Sequence, residues 1–258
     1  MDMQFDTDRF DLRERRIMVT GASRGLGRGI ALAIAATGAT VVGVARSRDG
    51  LSETQSMAAP LAGRFETMAG DLANTEELDA IAADAWAEGP LDGVVHAAGI
   101  QVRKPAVTIT REDWQQVASI QIETPFFLST AIARRQLDTG RKGSHVFIGS
   151  LASSIGLPEI APYTAAKSGI LGLTRTLAIE WARSGLRVNA VCPGYFHTEL
   201  TNDLFSDPAR RDRLLGRIPM GRFGVADDLA GAVIFFLCDA SCYVTGQALS
   251  VDGGWLAG

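Results

Sequence analysis

Tyr163-Thr164-Ala165-Ala166-Lys167 sets a phenol and an ammonium four residues apart, and on a helix such a pair shares one face. The 258-residue chain has only three tyrosines and three lysines, so the pairing is informative. A free phenol near pKa ~10 exchanges its proton poorly at neutral pH, and a nearby positive charge favours phenolate. Bringing that pKa down by about three units requires ~4 kcal/mol, which Lys167 and a second nearby positive charge could share. Ser150 follows the apolar run His145–Ile148. There it could polarise a substrate oxygen as a second donor; taken alone it reads as a turn serine.

A second cluster lies near the start of the chain. Thr20-Gly21-Ala22-Ser23-Arg24-Gly25-Leu26-Gly27 joins a β-branched run to an Ala-rich helical one. Glycines there would let a pyrophosphate approach the amides of a helix N-terminus, where the dipole favours negative charge. The spacing is G-x-x-x-G-x-G, and a plain strand-to-helix turn is the competing reading. After the next strand, Val44-Ala45-Arg46-Ser47 has no acid to hold ribose hydroxyls. Arg46 and Arg24 could instead converge on a 2′-phosphate, which favours NADP(H) and leaves NAD(H) as the second option. Asp71, followed by Leu72, could accept from an adenine amine or cap a helix.

The elements that must position these residues are short apolar runs alternating with longer helical patterns. Strands are expected at Ile17–Thr20, Thr40–Ala45, Arg64–Ala69, Gly93–Ala97, His145–Ile148, Arg187–Val191 and Ala248–Val251, covered on both faces. Helices are expected near Gly27–Thr37, Thr75–Ala87, Arg111–Leu137, Tyr163–Ser184 and Ala226–Cys238. The fold class is therefore α/β, a single doubly wound parallel sheet with helices on both faces. Residues 1–14 read as a tail and 15–258 as one domain. Pro193 to Gly224 interrupts the alternation; its part near 195–224 is either a lid over the strand ends or a helical excursion packed on the body.

Composition narrows the function. Twenty-five basic against twenty-nine acidic residues give a net charge of −4, with no basic excess for nucleic acid. The apolar stretch near Leu229–Cys238 is about half the ~20 residues of a membrane span. The acidic N-terminus does not resemble a targeting peptide, so a cytoplasmic location is expected. Cys192, Cys238 and Cys242, with His96, His145 and His197, have no metal-ligand spacing; reduced structural thiols and no metal are expected.

Taken together, TGASRGLG, His96-Ala97-Ala98-Gly99, Ser150 thirteen residues before Tyr163, YTAAK, Pro193-Gly194 with Thr198, and Val251-Asp252-Gly253-Gly254 resemble the short-chain dehydrogenase/reductase family over nearly the whole chain. The resemblance implies a single Rossmann domain and hydride transfer between NAD(P)(H) and a secondary alcohol or ketone. It also implies a homotetramer or homodimer. Tyr163 would be the acid/base, Ser150 its helper, and Lys167 the ligand of the nicotinamide ribose. Cofactor contacts would come from Gly21, Ser23, Arg24, Gly25, Leu26 and Gly27, then Arg46, Asp71 and Leu72. Ala97, Gly99, Pro193, Gly194 and Thr198 would complete them.

Two positions depart from the family's pattern. His96-Ala97 stands where Asn-Asn is common, and Gln121, seven after Trp114, stands where a catalytic asparagine is usual. Gln121 either preserves a water relay to the lysine or is a plain helix residue. The loop Ile100-Gln101-Val102-Arg103-Lys104-Pro105 is similar to that of sugar-acid dehydrogenases acting on gluconate or deoxygluconates. Arg103 and Lys104 could meet a carboxylate there, or the loop is merely solvated. The competing functions are a 3-oxoacyl-carrier-protein reductase, docking its carrier on Arg210, Arg211, Arg213 and Arg217, and a catalytically silent dinucleotide sensor.

Overall fold

The computed structural model describes residues 7–197 and 207–258. One parallel sheet has the strand order β3-β2-β1-β4-β5-β6-β7. Its strands are β1 (Arg16–Thr20), β2 (Thr40–Ala45), β3 (Arg64–Ala69), β4 (Gly93–His96), β5 (Gly143–Ile148), β6 (Leu186–Pro193) and β7 (Ala248–Val251). The crossovers carry α1 (Gly25–Ala36), α2 (Arg48–Ala58), α3 (Leu78–Ala87), α4 (Arg111–Ala118), α5 (Thr124–Asp138), α6 (Ala161–Trp181), α7 (Pro208–Leu215) and α8 (Ala226–Leu237). Successive strand side chains point to opposite faces. Ile17 and Val19 accordingly meet Ile30, Ile34 and Val233 of α1 and α8, whereas Met18 meets Leu78, Leu128 and Ile132 of α3 and α5. The strand order reverses between β1 and β4, and the carboxyl ends of strands at such a point open a ligand crevice.

The structure revises several of these expectations. The strands β3 and β7 lie at the sheet edges and are not covered on both faces: Leu249 of β7 is exposed. Helix α2 escaped notice because its polar sequence buries only Leu51, Thr54 and Ala58. The single helix expected over Arg111–Leu137 is two helices separated by a π-turn at Ser119–Glu123. Within the stretch read as a tail, Leu12 is fully buried and joins the core. Cys192 and Cys238 are buried as expected of structural thiols, but Cys242 is exposed. Of the segment read as a lid, residues 198–206, with Thr198, lie outside the described residues; α7 follows them.

Between β4, β5 and α5 runs a buried polar chain that hydropathy does not show. His145 Nε2 lies 2.9 Å from Gln136 Oε1, and Gln136 Nε2 donates to the Leu91 carbonyl at 3.0 Å. Since Oε1 only accepts, His145 carries its proton on Nε2 and its Nδ1 accepts from Ser129 Oγ at 3.2 Å. Ser129 has then spent its one proton, so His96 Nε2 donates to it at 2.7 Å. Both rings are thereby neutral, and burial pushes the His145 imidazole down to about 3 and that of His96 well below its ordinary value.

The sign of the pH dependence follows. Below pH 6.5 the unfolded chain binds protons that the folded chain refuses, so stability falls by up to ~1.4 kcal/mol per pH unit for each ring. Urea titrations between pH 6.5 and 5 should show this slope, and His145→Asn should remove about half of it whatever its effect at pH 7. An unchanged slope in that variant would mean that His145 is not held neutral.

Candidate active site

At the end of β1, Gly21 has φ +71°, and a Cβ there would lie 2.8 Å from Ala98 Cα. Only glycine allows the β1 and β4 turns to approach so closely. The two are also stitched by Ala98 N donating to Thr20 Oγ1 at 3.1 Å. Gly25 has φ +56° with open space where a side chain would be. Helix α1 starts beside it, with Arg24 as an extended cap residue that makes no side-chain cap bond. Its first amides are therefore left for an anion. Buried Gly27 is required for another reason, since a Cβ would strike the Gly21 carbonyl. The cradle fits a pyrophosphate.

Around this cradle, the remaining expected contacts fall along the crevice. Ser23 lies against Gly50 of α2, and half-buried Leu26 packs on the core. Arg46 is exposed and stands 4.0 Å from Asp71, a weak exposed pair that a phosphate could displace. Asp71 itself accepts from Ala73 N at 3.1 Å within a turn, and the cap position of the next 3-10 turn is held by Asn74, so Asp71 does not cap it. Leu72 is buried, and its carbonyl accepts from Thr124 Oγ1. Ala97 follows β4. A Cβ on Gly99 would sit 2.9 Å from Gln121 Nε2. Beyond β6, Gly194 donates to the Val251 carbonyl at 2.9 Å, next to buried Pro193.

The catalytic candidates come together on β5 and α6. Ser150 caps the 3-10 turn Leu151–Ser153, its Oγ accepting from Ala152 N at 3.1 Å. The hydroxyl proton is left to donate. Lys167 is buried, with Nζ 5.6 Å from the Tyr163 ring centroid and donating to the Ile148 carbonyl at 2.6 Å. Burial lowers the Lys167 ammonium to about 8. The Tyr163 phenol is raised above 10 by burial, while a hydrogen bond with Ser150 draws it back. Phenol, hydroxyl and ammonium thus form one constellation able to exchange a proton at a polarised oxygen.

Gln121 sits inside the π-turn, buried, with Nε2 donating to the Ile100 carbonyl at 2.6 Å and Oε1 without a partner among the described residues. A π-turn adds a residue to the helix, which aims Gln121 at the loop after β4. Two residues were missed by sequence reasoning. Ser153 accepts from Ser150 N at 3.1 Å and donates to the Lys167 carbonyl at 2.8 Å, tying the serine turn to α6. Cys192 lies so close to Gly149 that a Cβ there would meet its sulfur at 2.6 Å. The YTAAK spacing and Ser150 after the β5 run pointed here, and neither carries a sign of Ser153 or of the Cys192 approach.

The two basic candidates part company. Arg103 reaches the Pro158 carbonyl at 3.5 Å and Glu159 at 3.6 Å, beside the segment leading to Tyr163. Lys104 is committed elsewhere, gripping both oxygens of Asp113 at 2.8 and 2.7 Å. Asp113 in turn closes the capping box of α4 with Thr110. The structure therefore does not bring Lys104 to the site, because its ammonium secures a helix start. Among the described residues no group of three or more His, Cys, Asp or Glu could hold a metal, and no helix is long and apolar enough to cross a membrane.

A family model described as enoyl-(acyl carrier protein) reductase matches residues 21–256. This chain belongs to the short-chain dehydrogenase/reductase family. It is accordingly an oxidoreductase. It is 40% identical to the gluconate 5-dehydrogenase of Gluconobacter oxydans, over 96% of each chain. To the 2-dehydro-3-deoxy-D-gluconate 5-dehydrogenase of Escherichia coli it is 38% identical, covering 96% of this chain and 98% of that one. The crystal structure of a gluconate 5-dehydrogenase from Burkholderia cenocepacia, in complex with NADP and tartrate, superposes with a TM-score of 0.93 at 35% identity, over 97% of this chain and 98% of that one. The Rossmann-type fold expected from the sequence is borne out.

Burying the Lys167 ammonium has a thermodynamic signature. Below about pH 8 both states carry its proton. Between there and 10.5 the folded state sheds it first, so the unfolded chain binds more protons and stability rises with pH, by up to ~3 kcal/mol. The stability of Lys167→Met relative to the native chain should fall by more than ~2 kcal/mol from pH 7.5 to 10 in denaturant titrations. A pH-independent difference would show that the ammonium is not held in a desolvated site.

Proposed function

We propose that the protein is an NADP-dependent dehydrogenase that oxidises a secondary hydroxyl of a sugar acid of the gluconate or deoxygluconate class, and runs the reverse reduction. The observation that carries this reading is the Ser150, Tyr163 and Lys167 constellation, which follows β5 of the same parallel sheet whose β1 leads into the uncapped glycine turn. The sugar-acid relatives support the substrate class. NADP in a relative's crystal structure and Arg46 beyond β2 support the cofactor.

Gly21, Gly25, Gly27 and the first amides of α1 would hold the pyrophosphate. Arg24 and Arg46 would hold the 2′-phosphate, and Lys167 the nicotinamide ribose. A nicotinamide ring bound there would supply the acceptor for the hydride of the carbinol carbon. Ser150 donates its free hydroxyl proton to the substrate oxygen and so fixes the carbinol hydrogen's direction. Tyr163 takes the hydroxyl proton as phenolate and returns it in the reverse direction. Lys167 stabilises that phenolate from the same helical face, its own position set by the Ile148 carbonyl. Gln121 holds the Ile100 carbonyl, and with it the start of the loop that carries Arg103, against α4 and α5.

Purified protein is to be given D-gluconate, a deoxygluconate, an acyl thioester and a simple alcohol or ketone, read by NADPH absorbance. Turnover of the sugar acids is expected; exclusive turnover of the acyl thioester would replace this reading with the carrier-protein reductase. Tyr163→Phe should lose about 10²–10⁴-fold in kcat while NADPH still binds in fluorescence titrations. Wild-type turnover in that variant would remove the acid/base assignment. A further variant, Arg46→Ala, should cut the preference for NADPH over NADH about tenfold by weakening NADPH alone.

A further inference from the structure

The C-terminal turn carries a polar group that nothing else in the site uses. Trp255 is 3% exposed, and its indole Nε1 has no hydrogen-bond partner among the described residues. A buried donor left unpaired is rare enough to need an explanation. Over the same indole lies the Arg217 guanidinium, 4.3 Å from the ring centroid, and Tyr195 packs on it at 4.8 Å. Leu151, the residue after Ser150, belongs to the same cluster as Trp255 and Tyr195. The indole and guanidinium therefore stand one packing layer from the hydroxyl that would meet the substrate. Neither group is engaged by a carboxylate in an ion pair among the described residues, and nearby Asp252 is taken up by the amides of Gly254 and Leu256 at 2.9 and 3.1 Å.

A guanidinium held over an aromatic ring can keep N–H groups available at its edge, and a guanidinium edge can grip a carboxylate through two bonds. We propose that Arg217 and the Trp255 indole N–H form the subsite for the substrate's carboxylate, with Arg103 as its second cation. Arg103, Arg210 and Arg217 all bear electrostatically on the Tyr195 phenol, which places their positive field on this side of the site. The subsite rests on the sugar-acid reading above and assigns that substrate's orientation. Its carboxylate lies toward the C-terminal turn, and the carbinol to be oxidised lies toward Ser150 and Tyr163.

The test compares D-gluconate with D-glucitol, which keeps the carbon chain and lacks the charge, at saturating NADP. Arg217→Gln, at an exposed side chain, and Trp255→Phe, which keeps an aromatic six-membered ring and removes the N–H together with the five-membered ring, should each lower the preference for gluconate at least fivefold. The loss should appear mainly in KM, because the contact lies away from the reacting carbon. Calorimetry of D-gluconate on the NADP-loaded Tyr163→Phe protein should show the same weakening without turnover. Arg211→Gln and Arg213→Gln, exposed arginines on α7, should leave the preference as it is. If Arg217→Gln and Trp255→Phe keep the native preference, or the two control variants lose it equally, the subsite is refuted while the sugar-acid reading stands. If the native protein turns over no sugar acid, that reading falls and the subsite with it.

Discussion

The arrangement of the site turns on one buried hydrogen bond, from the Lys167 ammonium to the carbonyl of Ile148. Taking an ammonium out of water is costly unless it is met by oriented dipoles. Here the dipole is supplied by the last residue of β5, and the register that fixes it is the parallel pairing of β5 with β6. Once the lysine is anchored to the sheet, α6 can enter the fold in only one rotation, and Tyr163 one turn earlier must face the same way. Ser153 completes the constraint from the other side by joining the serine turn to the lysine's own backbone. Site and sheet are thus one mechanical unit.

What the sequence made legible was what local spacing can carry. Tyr163 and Lys167 are four apart and could be read from one helix face, and the glycines of 21–27 could be read from one turn. The alternation of strands and helices foretold the doubly wound sheet because both faces of β1, β2 and β4 are apolar. What stayed hidden depends on partners far along the chain. His96 and His145 looked scattered because the serine that joins them is on α5. The commitment of Lys104 to Asp113 depends on where α4 begins, and the nearness of Arg217 to Trp255 on two segments that meet only in the folded chain. The π-turn leaves no compositional trace, so Arg111–Leu137 read as one helix.

Polar groups are unevenly spent across the molecule. On the α5 side of the sheet, Ser129 and Gln136 satisfy the imidazoles in a directed chain that ends on the Leu91 carbonyl. Toward the crevice the accounting is left open: His96 Nδ1 and Gln121 Oε1 are buried without partners among the described residues. Buried groups of this kind are where ordered water or ligand is expected. The interior therefore grades from a closed network under the sheet to an unfinished one at its carboxyl end, where the chemistry is placed.

The widened turn at Ser119–Glu123 also has a bearing on how such a chain can vary. An inserted residue in a helix rotates everything on one side of it by about 100°. Here α5 is the buried partner, with Leu128, Ile132 and Gln136 locked in the core, whereas α4 buries only Val117. Loss of a single residue from the turn would thus be absorbed by α4 rolling on the surface, and the core would hardly register it. Yet the carbonyl of Ile100 would lose Gln121. The turn is a place where one codon can separate the ability to fold from the ability to act, and a lineage could drop the activity there while keeping a sound protein.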